Sequence, residues 1–142
     1  MNESVIEQLL AKQYFVLDFL PYRVPSDGSG RFFTVENYIL HSPYEQELRR
    51  KYLNIIIKLN CYHSITVYDC TTEKEIISPD PDRLSELIAA NNRLLYILVD
   101  NEEALVSIDR NDTHITVYSS SDDIKQLIAL LAQSEGLFVW EP

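Results

Sequence analysis

Three short apolar runs, separated by two polar segments, dominate the sequence between residues 94 and 118. The runs are Leu94–Val99, Ala104–Asp109 and His114–Tyr118, and they are rich in the aliphatic and β-branched residues that favour strands. The polar segments 100–103 and 110–113 contain the Asp and Asn residues that tight turns favour. Because short connections join strands in antiparallel order, this region predicts a three-stranded meander.

The N-terminal part of the chain also contains segments typical of strands. Tyr14–Leu20 alternates around apolar residues, and Arg31–Leu40 is aromatic and β-branched. The turn-forming cluster 26–30 lies between them. This pattern predicts an N-terminal hairpin, and its exposed edges between Tyr14 and Leu40 would allow pairing between copies in a homo-oligomer.

About four helices are predicted from capping residues and from apolar residues spaced three and four apart. Their starts are marked by Asn2, Ser42-Pro43, Asp80-Pro81 and Ser120. Further strands are predicted over 63–70, 75–77 and 137–140. The whole pattern indicates one α+β domain over residues 1–142 with an antiparallel-rich sheet.

A possible internal repeat relates residues 63–99 to residues 113–141. The segment Ile65–Tyr68 recurs as Ile115–Tyr118, and each copy is followed by a helix containing Leu-Ile-Ala and then by an apolar strand. A structural duplication explains this similarity. Convergent use of β-branched residues in strands explains it equally well.

The charge of the chain is acidic, with 12 basic against 22 acidic residues and a formal net charge of -10. Such a field repels phosphate backbones and anionic membrane surfaces, which disfavours nucleic-acid and membrane binding. It attracts a basic protein partner. The alternative is that the charge only keeps the chain dispersed.

A cytoplasmic location is expected from the N-terminus, the hydropathy and the cysteines. Residues 1–7 contain acids and no basic stretch before an apolar run, so they do not resemble a secretory signal. No apolar run reaches the roughly 20 residues that a membrane span needs. Cys61 and Cys70 fit no zinc or redox spacing, and no metal or cofactor is predicted.

An acidic edge is the most concrete functional prediction. In an antiparallel meander the first turn and the exit of the third strand lie at the same end. Asp100, Glu102 and Glu103 should therefore cluster with Asp122 and Asp123 and form a binding surface for a basic partner. The alternative is local, since the turn acids are solvated and Asp122 and Asp123 suit the start of their own helix.

A small enzyme or ligand-binding pocket near Cys61, His63 and His114 is the alternative function. Cys61 and His63 would share a face on a strand, and a Cys–His pair can activate a thiolate. His114 begins the strand that resembles the one after His63. No orienting acid or oxyanion site is identifiable, so the sequence leans away from an enzyme. A plain scaffold subunit is a third possibility.

In length, charge and its nine tyrosines, the chain resembles bacterial toxin-immunity proteins and antitoxins in general character only. Tyrosine is favoured at protein contact surfaces because it is large, amphipathic and has few rotamers. The resemblance implies a protein-interaction module. It includes no family motif and assigns no residue a role.

Overall fold

The computed structural model describes residues 3–21, 30–89, 94–99, 103–109, 112–119 and 121–141. These ranges contain five helices and seven strands. The helices are α1 (Glu3–Leu10), α2 (Gly30–Leu40), α3 (Tyr44–Tyr62), α4 (Pro81–Ala89) and α5 (Asp122–Ser134). The strands are β1 (Tyr14–Asp18), β2 (Ile65–Asp69), β3 (Lys74–Ile77), β4 (Leu94–Val99), β5 (Ala104–Asp109), β6 (His114–Ser119) and β7 (Phe138–Trp140).

All seven strands form one antiparallel sheet in the order β3-β2-β4-β5-β6-β1-β7. The α+β class is confirmed, and so is the predicted meander, because β4, β5 and β6 are consecutive neighbours. Among the described helices, none is both long and apolar enough to cross a membrane.

The main hydrophobic core lies between one face of the sheet and the longer helices. Alternate residues of each strand point to this face, as the burial of Ile65 and Val67 on β2 illustrates. The apolar stripe of α3 includes Leu48, Ile55 and Ile56, which are all fully buried. The inward-facing alternate residues of the strands and the apolar stripe of the helix therefore pack together in one core layer.

The opposite face of the sheet is covered in part by α1. Ile6 and Leu9 pack there against Leu98 and Leu105, with half-buried tyrosines around them. These tyrosines are Tyr68, Tyr96 and Tyr118. Their rings bury apolar area and leave the hydroxyl end near water, which suits a face that a single eight-residue helix covers.

The predicted N-terminal hairpin is wrong, because residues 30–40 form α2 and not a strand. The buried or half-buried residues of this segment include Phe32, Val35, Glu36 and Ile39, which are spaced three and four apart. That spacing places them on one helical face, and the tertiary contact of this face outweighs the strand propensity of the residues. The helix count is five for the same reason. Residues 26–29 of the predicted turn lie outside the described residues.

The predicted exposed edge near Tyr14 is also wrong, because β1 lies inside the sheet. β1 pairs with β6 on one side and with β7 on the other. The edges of the sheet are β3 and β7. Pairing of copies through the N-terminal segment therefore loses its structural basis.

The two proposed repeat units place their strands differently. β2 lies directly beside β4, whereas β1 separates β6 from β7. Both units run from a strand through a helix to a strand. An internal duplication stays a prediction.

The two ends of the sheet differ in the residues that they bring together. Val99, Ala104 and Ser119 lie side by side at one end, here called the Ser119 end. The opposite end contains Asp18 beside His114, and it is called the Asp18 end. α3 runs from the Asp18 end, where Tyr52 contacts β1, toward the start of β2.

Candidate functional site

A buried serine at the Ser119 end joins the β4–β5 turn to the start of α5. The Ser119 hydroxyl donates to the carbonyl of Glu103 at 2.9 Å and accepts from the backbone N–H of Ser121 at 3.0 Å. Ser121 in turn caps α5, since its hydroxyl accepts from the N–H of Ile124. Two segments that are far apart in sequence are therefore fixed to each other through one side chain.

The acidic residues at this end are exposed. Glu103 follows β4, and Asp122 and Asp123 occupy the first turn of α5, where the helix dipole favours negative charge. The structure thus brings Glu103 to the same end as Asp122 and Asp123, and these three residues are called the acidic edge below. Asp100 and Glu102, the other two residues of the predicted cluster, lie outside the described residues. Binding of a partner there stays a prediction.

Cys61 and His63 do not share a strand face as expected, because α3 continues through Tyr62. Cys61 is exposed on the last turn of α3, and its thiol donates to the carbonyl of Ile57 at 3.5 Å. His63 follows as the C-cap, with its backbone N–H donating to Leu59. Both residues belong to the end of one helix.

His114 lies at the opposite end of the sheet from His63. His63 leads into β2 at the Ser119 end, whereas His114 begins β6 at the Asp18 end, three strands away. With roughly 4.8 Å between strands and roughly 3.3 Å per residue, the starts of β2 and β6 are about 20 Å apart. The structure therefore does not assemble the predicted pocket. Within the described ranges, no group of three or more His, Cys, Asp or Glu residues is arranged to hold a metal ion.

A buried polar cluster at the Asp18 end was not predicted from the sequence. Its centre is Asp18, whose Oδ1 accepts from the Thr113 hydroxyl at 2.9 Å and from the N–H of Leu20 at 3.1 Å. The hydroxyl of Tyr52 donates to the carbonyl of Thr113. Asp18 is 2% exposed, and both Tyr52 and Thr113 are fully buried. The cluster therefore connects β1, α3 and the β5–β6 turn.

Burial, and then nearby charged residues, shift the pKa values of the carboxyl groups in and around this cluster. Burial raises the pKa of Asp18, against the opposing effect of its hydrogen bonds and of His114. Burial also raises the pKa of Asp112, which lies 3.9 Å from His114 (Oδ2 to Nε2). The pKa of Glu36 on α2 is raised by burial and then by the charges of Asp18 and Asp112.

The bonds of this cluster are made to the protein's own groups. Asp18 binds a backbone N–H and a hydroxyl, and Tyr52 binds a backbone carbonyl. Arg49 on α3 donates to the carbonyl of Asp112 at 3.1 Å, which adds a third hydrogen bond to the β5–β6 turn. The arrangement stabilises the junction of sheet and helix, and the raised pKa values of Asp18 and Asp112 predict that the stability of the chain depends on pH.

Asp18→Asn is expected to change the pH dependence of stability. Because the folded chain binds the Asp18 proton more tightly than the unfolded chain, wild-type stability falls as pH rises from about 3.9 through the raised pKa. The asparagine keeps the Oδ1 acceptor and does not titrate. Relative to wild type, the variant should therefore gain stability over this window and hold the gain above it, as measured by urea unfolding at several pH values.

The control for this experiment is Asp82→Asn, which removes one exposed acid from the first turn of α4. Its stability difference from wild type should change less with pH. A difference for Asp18→Asn that is the same at every pH would show that Asp18 does not titrate with a raised pKa.

The five helices and the single antiparallel sheet of the described residues place this chain in the α+β class. Comparison with protein-family models, with curated proteins and with solved structures found no match. The function therefore has to be argued from the residues of the chain itself.

Proposed function

We propose that this protein is an interaction module that binds a basic protein partner through the acidic edge. The observation that supports this most directly is the buried Ser119 hydroxyl, which bonds to both the Glu103 carbonyl and the Ser121 N–H. A contact surface whose backbone is already fixed loses less conformational entropy on binding than a mobile one.

The electrostatics of the acidic edge favour the same function. Glu103, Asp122 and Asp123 are exposed, and among the residues that the structure describes none of the three takes part in an ion pair. The chain as a whole carries a net charge of -10, so its long-range field attracts a basic partner before contact. Complementary charge contributes chiefly to the association rate and to specificity.

An aromatic pair lies next to Ser119 in the sheet, on the face that α1 partly covers. Tyr14 is opposite Tyr118 in the β1–β6 ladder, their ring centroids are 5.3 Å apart, and Tyr14 is 42% exposed. Tyr118 directly precedes Ser119, so the pair is close to the start of α5. Tyrosine is large and amphipathic and is favoured at protein contact surfaces, so the pair extends the proposed surface.

Two lysines limit where the basic residues of the partner can lie. Lys12 and Lys125 line a groove with Tyr14 on the side toward β7. Glu141 also lines this groove, but the two lysines outnumber it and repel a basic partner on that side. We therefore expect the basic residues of the partner to contact the side of Ser119 that faces the β4–β5 turn.

The test is a quantitative pull-down from a lysate of the native host with three forms of the chain. The first is wild type, and the second carries Glu103→Lys, Asp122→Lys and Asp123→Lys. The third is a matched control with the same change in net charge, Glu47→Lys, Glu73→Lys and Glu86→Lys, at exposed positions of α3, the β2–β3 turn and α4. Circular dichroism and thermal unfolding show whether each form folds.

The expected result is a basic protein that wild type and the control retain and that the acidic-edge variant retains at least about tenfold less. A partner retained equally by all three folded forms would contradict binding through this edge. A lysate from which wild type retains no basic protein would contradict the proposed function itself.

A further inference from the structure

We propose that the groove between α3 and α4 binds a small molecule that has an oxyanion group, a phosphate or a carboxylate, and an apolar body. This groove is separate from the acidic edge and does not depend on the function proposed for it. The groove has a volume of about 440 Å³. Small-molecule sites in proteins have volumes of roughly 300 to 1,000 Å³, so it has room for a small metabolite but not for a folded partner.

The helical repeat places the lining residues on two facing sides. Gln46, Arg50 and Leu53 of α3 are four and three residues apart, so they share one helical face. Ser85 and Ile88 of α4 are three residues apart and line the other side. The groove therefore combines a cation, an amide and a hydroxyl with two aliphatic side chains, which is the mixture typical of small-ligand sites.

The charge of the groove is opposite to that of the chain. Arg50 is exposed, and within the described part of the chain it forms no ion pair, although acids outnumber bases 22 to 12. Glu86 of α4 directly follows the lining residue Ser85, and its Oε2 lies 3.0 Å from Nη1 of Arg83. The Arg50 guanidinium is therefore available to an oxyanion, which it can bind through two parallel hydrogen bonds.

Arg49 adds a second, fixed cation to the wall of the groove. Arg49 is 5% exposed, and its Nη2 donates to the carbonyls of Asp112 at 3.1 Å and Asp109 at 3.5 Å. These bonds hold the guanidinium in place at the Asp18 end of α3. Because these bonds already fix the guanidinium in the wall of the groove, its position does not have to be ordered when an anion binds.

The experiment measures binding of phenyl phosphate and of phenylacetate to the full chain by titration calorimetry. Inorganic phosphate and phenol are the comparison probes, since each retains only one of the two chemical features. Two variants are compared, Arg50→Gln inside the groove and Arg31→Gln on α2, outside its lining. Both remove one exposed arginine, and neither residue is part of the core.

We expect at least one of the two anionic aryl probes to bind with a Kd near or below about 1 mM. We expect Arg50→Gln to raise that Kd at least about tenfold, Arg31→Gln to leave it within about twofold, and phosphate and phenol to bind more weakly than the aryl anion. Binding of only one aryl probe would identify the oxyanion. If neither probe binds, or if both variants weaken binding equally, the proposal is overturned.

Discussion

Tyr52→Ala is expected to lower the free energy of unfolding by about 3–5 kcal/mol, the usual cost of removing a buried aromatic ring. Tyr52 is fully buried on α3 among the residues of the main core. Its ring fills the space between the helix and β1, and its hydroxyl reaches the carbonyl of Thr113. Alanine leaves a cavity there, and it also leaves a buried carbonyl with one hydrogen bond fewer. Urea unfolding monitored by circular dichroism measures the effect.

Tyr52→Phe separates the hydrogen bond from the packing. The ring remains and only the hydroxyl is lost, so we expect a cost of about 1–3 kcal/mol. Tyr38→Ala is the control, since Tyr38 is 63% exposed on α2 and its removal should change stability by less than about 0.5 kcal/mol. Equal costs for Tyr52→Phe and Tyr38→Ala would show that the Thr113 bond contributes little to the cluster.

The proposed complex with a basic partner is expected to lose affinity as salt rises, by at least about tenfold between about 0.01 M and about 1 M ionic strength. The reason is that the Debye length falls from about 30 Å to about 3 Å over this range, which screens the exposed carboxylates. Most of the loss should lie in the association rate, because steering acts before contact. Surface plasmon resonance at several salt concentrations measures both rates.

The matching variant neutralises the acidic edge with Glu103→Gln, Asp122→Asn and Asp123→Asn. Its association rate should be slower at low salt and should depend less on ionic strength than the wild-type rate. The N-cap Ser121 is unchanged in this variant, so α5 should remain folded. Wild type and variant with the same salt dependence would assign the steering to the net charge of the chain and not to these three residues.

Helix starts with a local chemical signal were predictable from the sequence. Asp80 precedes Pro81, and in the structure its Oδ1 accepts from the N–H of Arg83 at 2.8 Å, as a cap should. α3 begins after the predicted Ser42-Pro43 start, at Tyr44, and the Ser42 hydroxyl accepts from the N–H of Tyr44 without capping the helix. Such capping signals involve residues within four positions of one another, so they can be recognised from one amino-acid sequence without a structure.

The segment 30–40 shows why propensity misled the prediction. Phe32, Val35 and Ile39 favour strands individually, yet they are also spaced three and four apart, and that helical spacing was the signal that the prediction overlooked. The contact of this face with the rest of the core stabilises the helix over the strand. That contact joins residues distant in sequence, and composition does not encode it.

The buried polar cluster at the Asp18 end could not be predicted from the sequence for a similar reason. Asp18 and Thr113 are 95 residues apart, and Tyr52 reaches Thr113 across 61. Nothing in the local sequence of any of them marks it as buried and polar. The acidic edge was predictable because the meander rule itself places Glu103 beside the exit of β6.

The position of β1 has a consequence for synthesis on the ribosome. β1 is the first strand to emerge, but its two neighbours, β6 and β7, are among the last segments translated. Until residue 114 has left the exit tunnel, β1 has no strand to pair with, and its buried side chains have no sheet to join. Closing that long loop slows folding and leaves an apolar segment accessible to chaperones while translation continues.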